Sequence, residues 1–336
     1  MKGNRTIFFA LGVILLVGLV YLSAATGTQL GHVAFNWSWP KWLFSSADSP
    51  GAAIVLALRF PRAVAAVLIG AALAVSGILL QGITRNPLAD PFLLGISGGA
   101  GLAVVVIYAF PNVTQTLGWW VVPVASFAGA QGATLLVLSL ARGVGQKISV
   151  IGLVLGGVII NSFCAALITF LLMQFAPLRM KVTALWLAGA VGYFGWPELL
   201  GAALFVGGAL FLLRLRAGSL NAFSLGEEGA SLVGVDASNV LQQTAWIASL
   251  LAGLAVSLGG LVGYVGLLVP HIVALLIGRD FRHSLLLAAV LGGIMMLLGD
   301  SAARMLFAPE EIPVGVLAAL IGTPVLLVLL SRELRR

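Results

Sequence analysis

The sequence predicts an all-α, polytopic integral membrane protein with about ten transmembrane helices and both termini in the cytoplasm. Three observations predict it. First, the 336 residues are 60% hydrophobic and only 9% charged, with mean hydropathy +1.12, against roughly 25% charged in a soluble domain. Second, apolar runs of membrane length recur along the chain, and the length allows roughly ten spans of about 20 residues. Third, polar loops between the runs carry positive charge with a side bias.

The first run follows Lys2 and Arg5 and extends over 7–26. It resembles a signal peptide, with Ser23-Ala24-Ala25 as a small-residue site, but it is longer than a usual apolar signal core. The expectation is a retained first span. The next runs lie at 63–82, 92–109, 119–140, 148–172 and 190–213. The last four lie at 239–262, 266–278, 284–304 and 313–331. Gly259, Gly260, Gly263, Gly266 and Pro270 interrupt the pattern over 260–278, which predicts a broken or re-entrant segment facing protein or water. All of this reads as one transmembrane domain over 1–336, with no room for a separate soluble one.

Loop charge sets the orientation. With ten spans and the N-terminus inside, Lys2, Arg5, Arg85, Arg142, Lys147, Arg214, Arg216, Arg279, Arg282, Arg332, Arg335 and Arg336 face inward, 12 of the 18 basic residues. Lys41, Arg59, Arg62, Arg179, Lys181 and Arg304 face outward. The net charge of +7 is therefore topology, with basic residues scattered at span ends, and nucleic acid is excluded as a partner. Trp37, Trp39 and Trp42 belong to an outer aromatic belt. Gly152–Gly156 and Gly259–Gly263 have the small-xxx-small spacing of close helix packing.

The longest inner loop, about 214–238, has its own helical signals. Ser224 and Glu227 have capping-box spacing, a short helix over 227–233 follows, and Gly234 suits a left-handed stop. Asp236 or Ser238 would cap the next span. A surface helix here is more economically explained by docking against another subunit than by a bare connector.

Enzyme signals are weak. Gly95-Ile96-Ser97-Gly98-Gly99 matches a nucleophile elbow, with His271 as a possible base, but the strand–turn–helix context is missing. His32, His271 and His283 lack metal-ligand spacing. No phosphate-binding GxxxxGK[ST] occurs, so no ATP site is visible. Cys164 is single and makes no intrachain disulfide. Span centres are nearly free of ionisable residues, which argues against ion coupling; Asp300, four before Arg304, makes a favourable helix pair. Arg59, Arg62 and Arg304 place cations on the outer rim and suggest an acidic partner or anionic ligand. An ion-coupled secondary transporter and an intramembrane serine protease stay open at this point.

The motifs nonetheless resemble one family. Arg59-Phe60-Pro61-Arg62, Arg85-Asn86-Pro87-Leu88-Ala89, Trp186-Leu187-Ala188-Gly189, Leu225-Gly226 with Ala230 and Gly234, Pro270-His271, Asp300 with Arg304, and Gly322-Thr323-Pro324 are similar to the FecCD-type permease subunits of bacterial type II ABC importers for ferric siderophores, haem and cobalamin. The resemblance implies a multi-pass protein of the bacterial inner membrane without catalytic residues. It implies a homodimer, two cytoplasmic ATPase subunits, a periplasmic binding protein and a metal-chelate substrate. No cofactor would bind this chain; ATP and Mg would sit on the ATPase. By position, Leu225, Gly226, Glu227, Glu228, Ala230 and Gly234 would form the ATPase-coupling loop. Arg59, Arg62 and Arg304 would receive acids of the binding protein, and Gly145, Gln146, Lys147 and Ser149 fall in the gate region. The chain departs from the family at Ala274, where Arg is frequent, and at Tyr264, where Phe is usual.

Overall fold

A computed structural model describes residues 2–29, 32–35, 54–142, 148–175, 180–306 and 310–333. It is helical apart from one short ribbon. Helix α1 (Lys2–Ala25) leads into strands β1 (Thr26–Gln29) and β2 (His32–Phe35), paired antiparallel with Thr26 opposite Phe35. A π-helical turn (Val55–Arg59) runs into α2 (Phe60–Thr84), and a 3₁₀ turn (Pro91–Leu94) precedes α3 (Ile96–Ala109). Then follow α4 (Pro111–Leu117), α5 (Val121–Leu140), α6 (Val150–Phe175), α7 (Met180–Leu187) and α8 (Trp196–Leu215). Helices α9 (Ala217–Phe223) and α10 (Glu227–Leu232) form the long inner loop. Helices α11 (Ala237–Gly259), α12 (Val265–Ile277), α13 (Phe281–Met305) and α14 (Val314–Glu333) complete the chain.

Among the described residues, seven helical stretches are long and apolar enough to cross a membrane, and three shorter apolar helices (96–109, 265–277, 314–328) accompany them. These ten coincide with the ten apolar runs. Lipid removes the hydrophobic drive between helices, so close packing has to hold them together. The central helix is α2, buried along most of its length against α11, α12 and α13. Its glycines allow backbone contact. A Cβ on Gly70 would lie 2.0 Å from the Gly292 carbonyl oxygen on α13, and one on Gly77 would lie 1.8 Å from that of Gly266 on α12.

The small-residue pairs read from spacing fare differently. Gly152 and Gly156 pack against the end of α5, where added Cβ atoms would meet Ala141 and Val137. Gly259 touches Ile69, but Gly263 has open space around it, because the chain has already left the helix. The predicted interruption is a break over 260–264: Gly260 and Tyr264 both take positive φ, +66° and +69°. Pro270 lies inside α12.

The predicted capping box does not form. Ser224 sits at the end of α9, where its Oγ donates to the Asn221 carbonyl at 2.6 Å. Gly226, at φ +104°, begins α10 instead. The spacing was right for a box, but α9 occupies 217–223 and already claims Ser224. Gly234 is the left-handed stop (φ +78°), and Asp236 caps α11 through the Asn239 N–H at 3.2 Å. Trp37, Trp39 and Trp42 lie outside the described residues.

Candidate functional site

The outer rim gathers residues far apart in sequence. Arg62, at the start of α2, donates from Nε and Nη2 to Oδ1 of Asp300 at 3.1 and 2.9 Å. Its Nη1 donates to the Tyr193 hydroxyl at 2.8 Å and to Glu311 Oε2 at 2.9 Å. Arg304 Nε lies 3.1 Å from Asp300 Oδ2, and its Nη2 donates to Ser23 Oγ on α1 at 2.8 Å. Asp300 is fully buried, and Arg59, Arg62 and Arg304 are each less than 9% exposed. A buried carboxylate must be compensated, and two arginines do so here.

The three arginines therefore do share one site, but two of them are not bare rim cations. Arg62 and Arg304 join α2, α13 and α1 around Asp300; the Asp300–Arg304 pair follows the i,i+4 spacing, and the Arg62 contact is one the spacing did not disclose. Among the described residues, three cations stand against two acids, Asp300 and Glu311, one positive charge in excess. Arg59, with no ion pair among the described residues, supplies it. Tyr193 and Glu311 were not signalled by the sequence; they come from loops, which carry no periodicity.

At the inner face, α9 and α10 are a folded unit. Ala230 and Gly226 are buried, while Glu227 and Glu228 are exposed in the first turn of α10, where the helix dipole favours them. Val235 N–H donates to the Ala230 carbonyl at 2.9 Å, closing the far end. Leu225, Leu232 and Val233 stand 72%, 88% and 61% exposed.

The expected gate residues are only partly visible. Gly145, Gln146 and Lys147 lie outside the described residues. Ser149 stands at the start of α6, its N–H donating to the Ala141 carbonyl at 3.2 Å and its Oγ accepting from Gly152 N–H at 3.0 Å.

The elbow-like motif has no catalytic geometry. Gly95 follows a 3₁₀ turn rather than a strand, and Ser97 Oγ donates to Asn161 Oδ1 at 3.2 Å. Asn161 also accepts from Gly98 N–H and donates to the Phe92 carbonyl, each at 2.9 Å. It pins α6 to the 3₁₀ corner, so Ser97 belongs to a packing joint. His271 lines a different place, an inner cavity of about 200 Å³ beside Arg85 and Arg279. No group of His, Cys, Asp or Glu among the described residues could hold a metal.

Residues 9–332, nearly the whole chain, match the FecCD transport family. The chain belongs to that family. Among FecCD relatives, the hemin transport system permease HmuU of Yersinia pestis is 36% identical over 335 residues, covering 99% of this chain and 98% of the relative. The vitamin B12 import system permease BtuC of Vibrio vulnificus is 35% identical, covering 99% and 95%. An ABC transporter permease of Bacillus subtilis, YvrB, of uncharacterised role, is 34% identical over the full chain and 96% of its own length.

A solved metal-chelate type ABC transporter in an inward-facing conformation shares the fold, with TM-score 0.82, 26% identity, and coverage of 97% of this chain and 99% of that one. The FecCD assignment makes this chain a multi-pass membrane transport subunit rather than a protease or an ion-driven carrier. At Tyr264 the hydroxyl lies 2.6 Å from Thr323 Oγ1, a hydrogen bond to α14 made through the phenol.

Proposed function

We propose that this FecCD chain is the membrane subunit of an ATP-driven importer of a metal chelate in a bacterial inner membrane. Two copies would line the pathway, two cytoplasmic ATPases carrying ATP and Mg would drive it, and a periplasmic binding protein would deliver cargo. The named cargoes of its relatives, hemin and vitamin B12, define the substrate class: a bulky metal chelate.

The observation that carries the ATPase partner is the inner helical loop. Leu225, Leu232 and Val233 are large apolar side chains on a folded unit at the watery face, and apolar patches rimmed by charge mark interaction sites. Glu227 and Glu228 supply that rim. Leu225, Gly226, Ala230 and Gly234 shape the unit, so it seats in a partner groove as one body. Gly145, Gln146, Lys147 and Ser149, which precede α6 in the sequence, are assigned the cytoplasmic gate.

On the outer face, acids of the binding protein would be drawn to the positive charge of the Arg59, Arg62 and Arg304 cluster. Arg–carboxylate bonds are strong and geometrically specific.

Affinity purification from the native membrane tests the assembly. A stoichiometric ATPase with a phosphate-binding loop is expected in the mass spectrum. Replacing Leu225 and Leu232 by Ser should release it, and retention would overturn the coupling assignment. A chain that purifies alone under mild extraction would overturn the importer.

A further inference from the structure

The inner helical loop is tied to one span by an unusually specific bond pair. Asn221, on α9, donates from Nδ2 to Asp280 Oδ1 at 2.8 Å. Its Oδ1 accepts the Phe281 N–H at 3.0 Å. Asp280 meanwhile caps α13, accepting the Arg282 N–H at 3.1 Å, with His283 Nδ1 3.4 Å from its other oxygen. Arg214 Nη1 adds a tie to the Arg282 carbonyl at 3.1 Å.

Only a primary amide completes this joint. The carboxylate needs a donor and the adjacent N–H needs an acceptor, and Asn offers both from one planar group. Ser can serve one partner at this reach, Ala neither, and Asp would set two carboxylates together. Partial burial pushes the Asp280 carboxyl up, yet the bonds from Asn221, the Arg282 N–H and His283 outweigh this and hold it below the ordinary value.

The joint reaches further in both directions. Gly226 N–H donates to the Phe223 carbonyl at 3.0 Å, linking α9 to α10. The buried Phe281 ring presses on α2, where a Cβ on Gly82 would lie 2.5 Å from it. Helix α13, 25 residues long and so about 38 Å, ends at Asp300 and Arg304 on the opposite face. Beside the clamp lies the 200 Å³ cavity, bounded by Ser224, Arg85, Pro270 and Ser284. The loop is thus held at Asn221 and borders a cavity.

We propose that Asn221 is the positioning residue that transmits movement of α9–α10 to α13, and through α13 to the Arg62–Asp300–Arg304 cluster. The proposal rests on the coupling-loop assignment above. A short directional clamp at the base of a loop, continuous with a rigid helix, converts a push on the loop into displacement of that helix. Such an element couples two sites only if both bias its position. Its inner end meets the ATPase side and its outer end the cluster that Arg59 flanks.

The test uses the whole purified complex in proteoliposomes, with ATP hydrolysis measured with and without the binding protein. The parent complex comes first: an absent ATPase, or no stimulation, would fail the coupling-loop assignment before any variant is made. Asn221→Ala and Asn221→Asp should keep the ATPase attached and basal hydrolysis within twofold, while stimulation by the binding protein falls at least fivefold. Asp280→Asn should keep stimulation within twofold, because its amide oxygen can stand in for Oδ1 and accept from both Asn221 Nδ2 and the Arg282 N–H. Full stimulation in N221A or N221D, or a fivefold loss in D280N with parent-like thermal stability, overturns the proposal. Loss of the ATPase from N221A also overturns it, since Asn221 would then build the docking surface itself. Should N221A aggregate, N221D and D280N carry the test.

Discussion

Arg62 and Asp300, 238 residues apart, meet through two guanidinium nitrogens on a single carboxylate oxygen. The second oxygen of Asp300 faces Arg304 at 3.1 Å. One buried acid thus holds two helices that begin and end at the outer face. Removing a partner from such a group leaves buried charge uncompensated, which typically costs about 3–5 kcal/mol. Asp300→Asn should therefore lower thermal stability sharply in detergent. Glu311→Gln should cost under about 1 kcal/mol, because Glu311 is 47% exposed and solvent screens its pair. Equal losses in the two variants, by the same unfolding assay, would contradict this division of labour.

Arg59 behaves oppositely. It has no ion pair among the described residues, so its charge is not needed to compensate an acid. Arg59→Glu should leave thermal stability near the parent's and weaken binding-protein docking about tenfold at low salt, or roughly 1.4 kcal/mol. The effect should shrink at high salt, where screening shortens to about 3 Å at 1 M. Surface-plasmon titration over a salt series measures both. Arg62→Glu, by contrast, should fail first as a folded protein.

How much was legible beforehand follows from where each signal resides. Spans are announced by long apolar runs, and all ten runs correspond to helices. Capping at Asp236 and the stop at Gly234 are local, so they too were readable. The Arg62–Asp300 contact was invisible, because nothing in linear spacing relates α2 to α13; only the pair Asp300–Arg304, one helical turn apart, was. Asn161 had a weaker signal, an amide in the middle of a 26-residue apolar helix, and its three bonds explain why it is tolerated there. Helix α9 was missed because seven residues with four small ones and one Asn show little periodicity. That omission displaced the capping-box reading.

Backbone contact between α2 and α13 makes a sharp prediction about size. A Cβ on Gly70 would sit 2.0 Å from the Gly292 oxygen, and one on Gly292 would sit 2.2 Å from the Gly70 oxygen. Neither neighbour is a flexible side chain that could swing away. Gly70→Ala and Gly292→Ala should each cost about 1–3 kcal/mol as overpacking, seen as reduced yield and earlier aggregation on size-exclusion chromatography. Gly208→Ala on α8, where nothing lies within 4 Å, should be neutral. A well-behaved Gly70→Ala protein would mean that the two helices separate more easily than their contact suggests.

Asp90 gives a pH-dependent prediction at the inner loop. Burial pushes its carboxyl up to about 6, partly offset by the Phe92 N–H that it accepts at 2.9 Å. Because the folded chain holds this proton more tightly than the unfolded one, ionisation penalises folding. Stability should be least affected below the ordinary value of 3.8, fall as pH rises toward 6, and level off above. Asp90→Asn removes the charge and keeps an oxygen for the Phe92 N–H. The variant should be roughly 1–2 kcal/mol more stable than the parent at pH 8 and no different at pH 4. Thermal unfolding across that range decides it. A variant equally stabilised at both pH values would trace the gain to packing rather than to the buried charge.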